Sequence, residues 1–299
     1  MNIIALIVTY NRLDLLKESI AALQVQTIKP NKILIYNNNS SDGTEDYLNT
    51  LNDELIIVKN ATINTGGAGG FHHGIKMAYT LGANWAWVMD DDTIAEPGAL
   101  EKLVESPFFP DDESENPTGY LAGRVDWTDG NRHLLNFIEP VHPWHHFHGK
   151  YENCYKITNS TFVSMLISRK AIEKVGLPVK EFFIWGDDWE YSGRISKQFN
   201  CYYISDSVVI HKTLENLESN VSNINKDNYW KYKFDARNST SLKAGGFINF
   251  IKINLNLLSK INQMIKAKVK YRYILGYIFH SYRGLFFNYK KLVKFPKNL

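Results

Sequence analysis

Trp85-Ala86-Trp87-Val88-Met89-Asp90-Asp91-Asp92 reads as a short apolar strand that delivers three adjacent carboxylates to its end. The apolar run has the length and composition of a buried strand. Open α/β sheets gather their ligands at the carboxyl ends of such strands. Three neighbouring carboxylates repel one another and lose hydration when enclosed, so the cluster needs a positive partner. Side chains alternate faces along an extended chain. Asp90 and Asp92 therefore point together at one divalent cation, and Asp91 points elsewhere. Oxygen donors suit Mg²⁺ or Mn²⁺. Taken alone, the triplet reads equally well as a solvated acidic turn before a helix that starts near Pro97. The surrounding chain decides between the two.

Upstream, Ile3-Ile4-Ala5-Leu6-Ile7-Val8 is a continuous apolar run of the kind found in central parallel strands. It ends in Thr9-Tyr10-Asn11-Arg12. Leu13, Leu16, Ile20 and Leu23 then share one face of a helix. Lys32-Ile33-Leu34-Ile35-Tyr36 is the next strand, and it runs into Asn37-Asn38-Asn39-Ser40-Ser41-Asp42-Gly43-Thr44, rich in turn and cap formers. A helix and the strand Leu55-Ile56-Ile57-Val58 follow. This β-α-β-α-β order predicts a parallel, Rossmann-like sheet with right-handed crossovers. The third strand leads to Asn64-Thr65-Gly66-Gly67-Ala68-Gly69-Gly70-Phe71, whose glycines let backbone N–H groups approach a ligand; a helix is expected to open near Phe71. No Gly-Lys-Ser/Thr follows, and the first strand carries no glycine fingerprint, so neither a P-loop nor a dinucleotide fold is indicated.

Downstream, Thr161-Phe162-Val163-Ser164-Met165-Leu166-Ile167-Ser168 reads as a strand and Arg169–Val175 as a short helix stopped by Gly176 and Pro178. Phe182-Phe183-Ile184-Trp185-Gly186-Asp187-Asp188-Trp189-Glu190 brings three carboxylates beside two tryptophans. Apolar walls raise a carboxylate pKa into the range of a useful base. Val208-Val209-Ile210-His211 is a strand ending in histidine. His142-Pro143-Trp144-His145-His146-Phe147-His148 lacks the cysteines and helical spacing of a zinc site and reads better as an acceptor-side loop, with His146 a candidate contact.

The ordered set V-T-Y-N-R, N-N-N-S-S-D-G-T, N-T-G-G-A-G-G-F and W-V-M-D-D-D-T resembles glycosyltransferase family 2. The G-G-A-G-G-F form is most similar to its bacterial galactofuranosyltransferase and rhamnosyltransferase branch. The resemblance implies a GT-A fold, in the α/β class, and an inverting transfer from a nucleotide-diphospho-sugar. It places donor contacts at Thr9, Tyr10, Asn11, Arg12, Asn37, Asn38, Asn39, Asn64, Gly66, Gly67, Gly70, Asp90 and Asp91. It places a metal on Asp90, Asp92 and His211, and Mn²⁺ is expected over Mg²⁺ because of the imidazole. The W-x-D-D-x-E stretch implies Asp188 as the base, with Asp187 or Glu190 holding the acceptor hydroxyl or a helix end and Trp185 and Trp189 facing the acceptor. Asn37 stands where the family usually has Asp; an amide accommodates uracil or thymine. Arg237, in an aromatic stretch ending in Arg-Asn, either touches the diphosphate or ties its helix down. UDP-galactofuranose is the first donor expected, with dTDP-rhamnose and UDP-galactopyranose open. Thr161-Phe162-Val163-Ser164 replaces a tryptophan pair often seen there, which counts against galactofuranose. Non-catalytic nucleotide-sugar binding and nucleotidyl transfer are the alternatives in other classes.

Bulk properties fit one large unit with an appendage: 299 residues, 44% hydrophobic and 22% charged. Residues 1–240 are expected to form the catalytic domain, with a donor half to about 100 and an acceptor half to 240, and 241–299 a basic amphipathic helical region. From Lys243 onward there are ten Lys, two Arg and no Asp or Glu, so the +12 tail leaves −9 on the remainder of a +3 chain. Basic helices with interfacial aromatics lie on anionic membranes, which suits a lipid-linked glycan acceptor in bacterial surface polysaccharide synthesis. No nucleic-acid motif accompanies the tail. Two cysteines without metal spacing, no signal-peptide pattern and no long apolar run predict a cytoplasmic protein, peripheral on the inner face of the membrane.

Overall fold

The computed structural model describes residues 1–109, 117–141 and 153–296. In chain order the elements are β1 (Ile3–Thr9), α1 (Leu13–Gln24), β2 (Lys32–Asn37), α2 (Thr44–Thr50), β3 (Ile56–Asn60), α3 (Gly66–Thr80), β4 (Trp85–Asp90), β5 (Thr93–Ala95) and α4 (Ala99–Val104). Then come β6 (Thr118–Asp126), β7 (Glu139–Pro140), β8 (Cys154–Asn159), β9 (Met165–Ser168), α5 (Arg169–Val175), α6 (Asp187–Ser196), β10 (Asn200–His211), α7 (Tyr229–Lys243), α8 (Phe247–Lys266) and α9 (Tyr271–Gly284). One mixed sheet runs β3-β2-β1-β4-β9-β6-β10-β8-β7, with β5 on β10. Its first half, β3-β2-β1-β4, is parallel. Every side chain of β1 is buried, because helices cover both sheet faces. This is the α/β arrangement the resemblance implies.

Two local expectations change. Helix α3 opens at Gly66 rather than near Phe71, so the glycines after it lie in the first turns of the helix. Gly70 and Gly74 serve close packing: a Cβ on Gly70 would lie 2.4 Å from Val8 Cγ1, and one on Gly74 2.6 Å from Leu6 Cδ1. The strand expected over Thr161–Ser168 begins only at Met165. Ser164 has a left-handed backbone (φ 56°) that breaks the extended run, and its carbonyl accepts from Gly123 N.

The C-terminal helices dock on the body. Leu257 and Met264 of α8 and Tyr273, Ile274 and Tyr277 of α9 bury against Tyr232 and Ala236 of α7. Phe287, Tyr289, Leu292 and Val293 pack on Val179 and Phe182. Helix α8 is apolar on its opposite side too: Phe247, Ile248, Ile251, Leu255 and Leu258 are all exposed. Leu275, Phe279 and Tyr282 of α9 and Phe286 beyond it are exposed as well. Among the described residues no helix is long and apolar enough to cross a membrane.

Candidate functional site

The parallel register of β1 and β4 sets Val8 beside Asp90, so Thr9 and the aspartates leave the same sheet edge. A short strand not expected from the sequence, β5, then pairs antiparallel with the end of β10, with His211 opposite Thr93. Lys212 N donates to Asp92 O at 2.8 Å, closing the pairing. The His211 ring is thereby brought to the acids: its Nε2 lies 3.0 Å from Asp92 Oδ1. One ligand atom each from Asp90, Asp92 and His211 fall within 4.8 Å of one another. Burial, followed by the neighbouring Asp92 charge, pushes Asp90 above the usual carboxylate range. Burial also acts to raise Asp92, but the His211 hydrogen bond and charge and the Arg12 charge outweigh it and hold Asp92 down.

These residues fit a divalent ion. Asp92 Oδ1 is buried and faces His211 Nε2 off the line of a well-aligned hydrogen bond, so its lone pairs are open to a cation held between the two. His211 Nδ1 lies 2.6 Å from Asn136 Oδ1, and Asn136 Nδ2 donates to Thr161 Oγ1 at 2.9 Å. That chain keeps a proton on Nδ1 and turns Nε2 toward the carboxylates, the orientation a metal-ligating imidazole needs. Two carboxylates and one imidazole suit Mn²⁺ or Mg²⁺.

Asp91 faces the other way, as alternation predicts. It accepts from Thr9 Oγ1 at 2.8 Å and Tyr10 N at 3.1 Å, and Arg12 lies 3.4 Å from it while also contacting Asp92. Burial pushes Asp91 up to about 6 despite Arg12. The asparagines form a network inside the loops. Asn37 donates to Asn60 Oδ1 and accepts from Ser40 N, so each end of its amide has one loop partner. Asn38 binds Asn64, Thr65 and Gly66, and Asn11 accepts from Ser41 N. Asn64 also accepts from Gly66 N, and Asn39 sits at φ 66°. These residues shape the loops at the ends of β1, β2 and β3; Gly67, with no atom within 4 Å of its Cβ direction, is the open glycine.

The second acidic group enters from a bent loop. Phe183 (φ 67°) and Trp185 (φ 65°) hold left-handed backbones, and Gly186 (φ 88°) precedes α6. Asn238 Nδ2 meets the carbonyls of Phe182, Ile184 and Trp185 at 2.8–3.0 Å. Arg237 donates to Glu181 O and Phe182 O and stacks on Phe287, so it ties α7 to this loop. Such strain persists because the surroundings hold it. Asp187 and Asp188 occupy the first turn of α6. Burial raises both, Asp188 to about 6 and Asp187 well above the ordinary range, the latter also by the Asp188 charge. Asp188 Oδ1 accepts from Trp189 N at 2.7 Å. Glu190 is paired with Arg194 at 2.9 Å, and Arg194 reaches Val175 O and Leu177 O, so this pair fixes α6 to the chain after α5.

One open cleft of about 2160 Å³ is lined by Arg12, Gly67, Asp90, Asp92, His211, Trp185, Asp187, Asp188, Trp189 and Glu190. His146 and the rest of the His142–His148 stretch lie outside the described residues. Asn136 and Asn238 carry no signal as isolated asparagines in the sequence. Only the position of Asn238 beside Arg237 draws attention to it.

Residues 4–176 match the family model described as glycosyl transferase family 2. Galactofuranosyltransferase GlfT1 of Mycolicibacterium smegmatis is 34% identical over 88 residues, which span 29% of this chain and 29% of that protein. Residues 1–349 of S. aureus TarS in complex with UDP-GlcNAc superpose with a TM-score of 0.56 at 13% identity, over 98% of this chain and 84% of that one. GalNAc-T7 with UDP, GalNAc and Mn²⁺ gives 0.57 at 14% identity, over 80% of this chain and 50% of that one. At those identities the structures show a shared fold. The family match covers more than half the chain and ends within the body that carries β1 to α5, the elements that set Asp90–Asp92 at the sheet edge. The chain belongs to glycosyl transferase family 2.

Proposed function

We propose that this glycosyltransferase is an inverting, metal-dependent enzyme that moves galactofuranose from UDP-galactofuranose to a lipid-linked glycan acceptor. The observation that carries the reading is that Asp188 and the Asp90–Asp92–His211 cluster open onto one cleft. Asp188 takes the proton of the acceptor hydroxyl as its oxygen bonds to C1. The C1–O bond to phosphate breaks on the opposite face, and its electron pair leaves with the nucleoside diphosphate. Asp90, Asp92 and His211 would hold a divalent ion, which would supply positive charge to the departing diphosphate. Asp187, beside Asp188, is raised by burial and by the Asp188 charge, which disfavours its ionised form next to the base. Trp185 and Trp189 give flat apolar walls for sugar rings. The galactofuranose choice rests on the matched relatives and on the G-G-A-G-G-F stretch. Calorimetry with UDP, dTDP, GDP and CDP in Mn²⁺, then in EDTA, tests it. UDP alone is expected to bind, and EDTA to abolish binding. Preference for dTDP moves the reading to rhamnosyl transfer, and binding of none of the four removes the donor altogether.

The catalytic unit is proposed as residues 1–240, with 241–299 as a membrane-facing appendage on the inner face of the bacterial membrane. The outer side of α8 and α9 is apolar, and the tail carries lysines without acids. Such a face gains by insertion at a lipid interface, and each lysine near an anionic surface adds ~1 kcal/mol. Co-sedimentation with phosphatidylglycerol vesicles is expected, weaker with phosphatidylcholine and weaker for Ile251→Glu/Leu255→Glu. Equal recovery in the supernatant with and without anionic vesicles overturns the membrane assignment.

A further inference from the structure

Lys231 stands two residues into α7, and its half-buried ammonium lines the same cleft as Arg12, Asp90, Asp92 and His211. Among the described residues its only charged or aromatic contact is the face of Trp230, 5.6 Å from Nζ to the ring centroid. Three other cations of the cleft wall are already engaged: Arg12 with Asp91 and Asp92, Arg194 with Glu190, and Lys212 with Glu18. Asp235, one helical turn beyond Lys231, is taken by Tyr277 Oη at 2.6 Å and by Lys260. Lys231 is therefore a partly desolvated positive charge without a carboxylate. Burial first, and then repulsion from Arg12, work against its proton. An anion sharing the space would favour the charged form that burial and Arg12 disfavour.

The position also follows from the helix. Residues seven apart lie on one helical face, so Lys231 shares the face of α7 that carries Asn238 onto the Asp188 loop, and it lies near enough to Arg12 to feel its charge. Arg12 and one divalent ion would balance Asp90, Asp91 and Asp92. Lys231 then remains as a positive charge with no ion-pair partner on the wall of the cleft that a ligand's anionic part would enter.

We propose that Lys231 binds the diphosphate of the nucleotide donor and stabilises it as it departs. This rests on the glycosyl-transfer reading and adds a residue to it. Lys231 keeps its proton throughout; it meets the charge that arrives on the phosphate oxygen with the electron pair of the broken C1–O bond. No proton moves through it.

The test is calorimetry in Mn²⁺ with UDP, dTDP, uridine and thymidine as probes, on the full chain and on Lys231→Ala, Lys231→Arg and the exposed control Lys226→Ala. Lys231→Ala is expected to weaken the preferred nucleoside diphosphate about ten- to a hundredfold, as expected for loss of a charge-assisted hydrogen bond. Its nucleoside affinity should stay unchanged, Lys231→Arg should recover most of the loss, and Lys226→Ala should match the unaltered chain. Diphosphate binding by Lys231→Ala at the level of the unaltered chain overturns the proposal. So does equal weakening of nucleoside and diphosphate, which marks a structural role. If the unaltered chain binds neither diphosphate, the glycosyl-transfer reading itself falls, and this inference with it.

Discussion

Asp188→Asn is expected to lower the rate of sugar transfer by about 10³-fold or more while leaving donor affinity within a factor of about two, the size of effect a general base contributes. The change is isosteric. The Asn carbonyl can still accept from Trp189 N, so the first turn of α6 keeps its hydrogen bond. What disappears is the only group in the first turn of α6 suited to take a proton near neutral pH. Asp187 sits beside it but is fully enclosed, with burial and the Asp188 charge both disfavouring its ionised form, and Glu190 is committed to Arg194. Transfer at an unchanged rate in Asp188→Asn would remove Asp188 from the mechanism. Loss of donor binding along with transfer would show that Asp188 shapes the donor site instead.

The same substitution carries a stability signature with a definite sign. Burial lifts Asp188 to about 6, above the ordinary carboxylate value near 4. A group raised on folding contributes its stability below the ordinary value and loses it as pH rises through the folded one. At pH 8 the ionised carboxylate therefore works against the fold, on the order of 1–2 kcal/mol after allowance for its partial exposure. Asp188→Asn should melt higher than the unaltered chain at pH 8, and the gap should close by pH 4. Transfer by the unaltered chain should rise with pH through about 6. A variant that is inactive yet more stable at high pH is the result expected of a base kept partly desolvated for its task.

How far these features were legible in the sequence depends on the range of the interactions. The strands of the parallel half were readable because burial on both faces writes a continuous apolar run, as in Ile3–Val8. The Asp90/Asp92 pair followed from side-chain alternation alone, and Asp91 turning to Thr9 and Tyr10 agrees with it. His211 was reachable only through the family resemblance. Nothing local indicates that Thr93–Ala95 pairs with the end of β10, and that pairing is what sets the imidazole against Asp92. Asn136 and Asn238 act across 75 and 53–56 residues of sequence, with no periodicity to announce them. Asn37 is a similar case. Its amide donates to Asn60 and accepts from Ser40, contacts that no pattern within Asn37–Asn39 reveals, and it keeps one N–H and one lone pair. The glycines of Gly66–Gly70 were noticed for the right reason, close approach of backbone, but most of what approaches is protein.

That division among the glycines gives the second large effect. Gly66→Ala is expected to destabilise the fold by roughly 3 kcal/mol or more and to impair transfer as well. Gly66 has φ 73°, where a side chain costs about 1 kcal/mol. Its Cβ would also lie 2.0 Å from the carbonyl oxygen of Phe183. That oxygen cannot swing aside freely, because it accepts from Ala68 N at 3.1 Å and belongs to the strained loop that Asn238 holds. Relief must come from moving the loop, and the loop carries Asp187 and Asp188. Gly67→Ala is the contrasting case. Nothing lies within 4 Å of the added Cβ, and alanine favours a helix over glycine by about 1 kcal/mol. Thermal unfolding should therefore show Gly66→Ala falling by several degrees and Gly67→Ala unchanged or higher, while UDP affinity drops in Gly67→Ala because its methyl projects into the cleft. A stable, active Gly66→Ala would mean that Phe183 yields at little cost, and that the loop's bend is not what holds Asp188 in place. A Gly67→Ala with full UDP affinity would place the nucleotide's phosphates away from the opening of α3, leaving the glycine run a packing device alone.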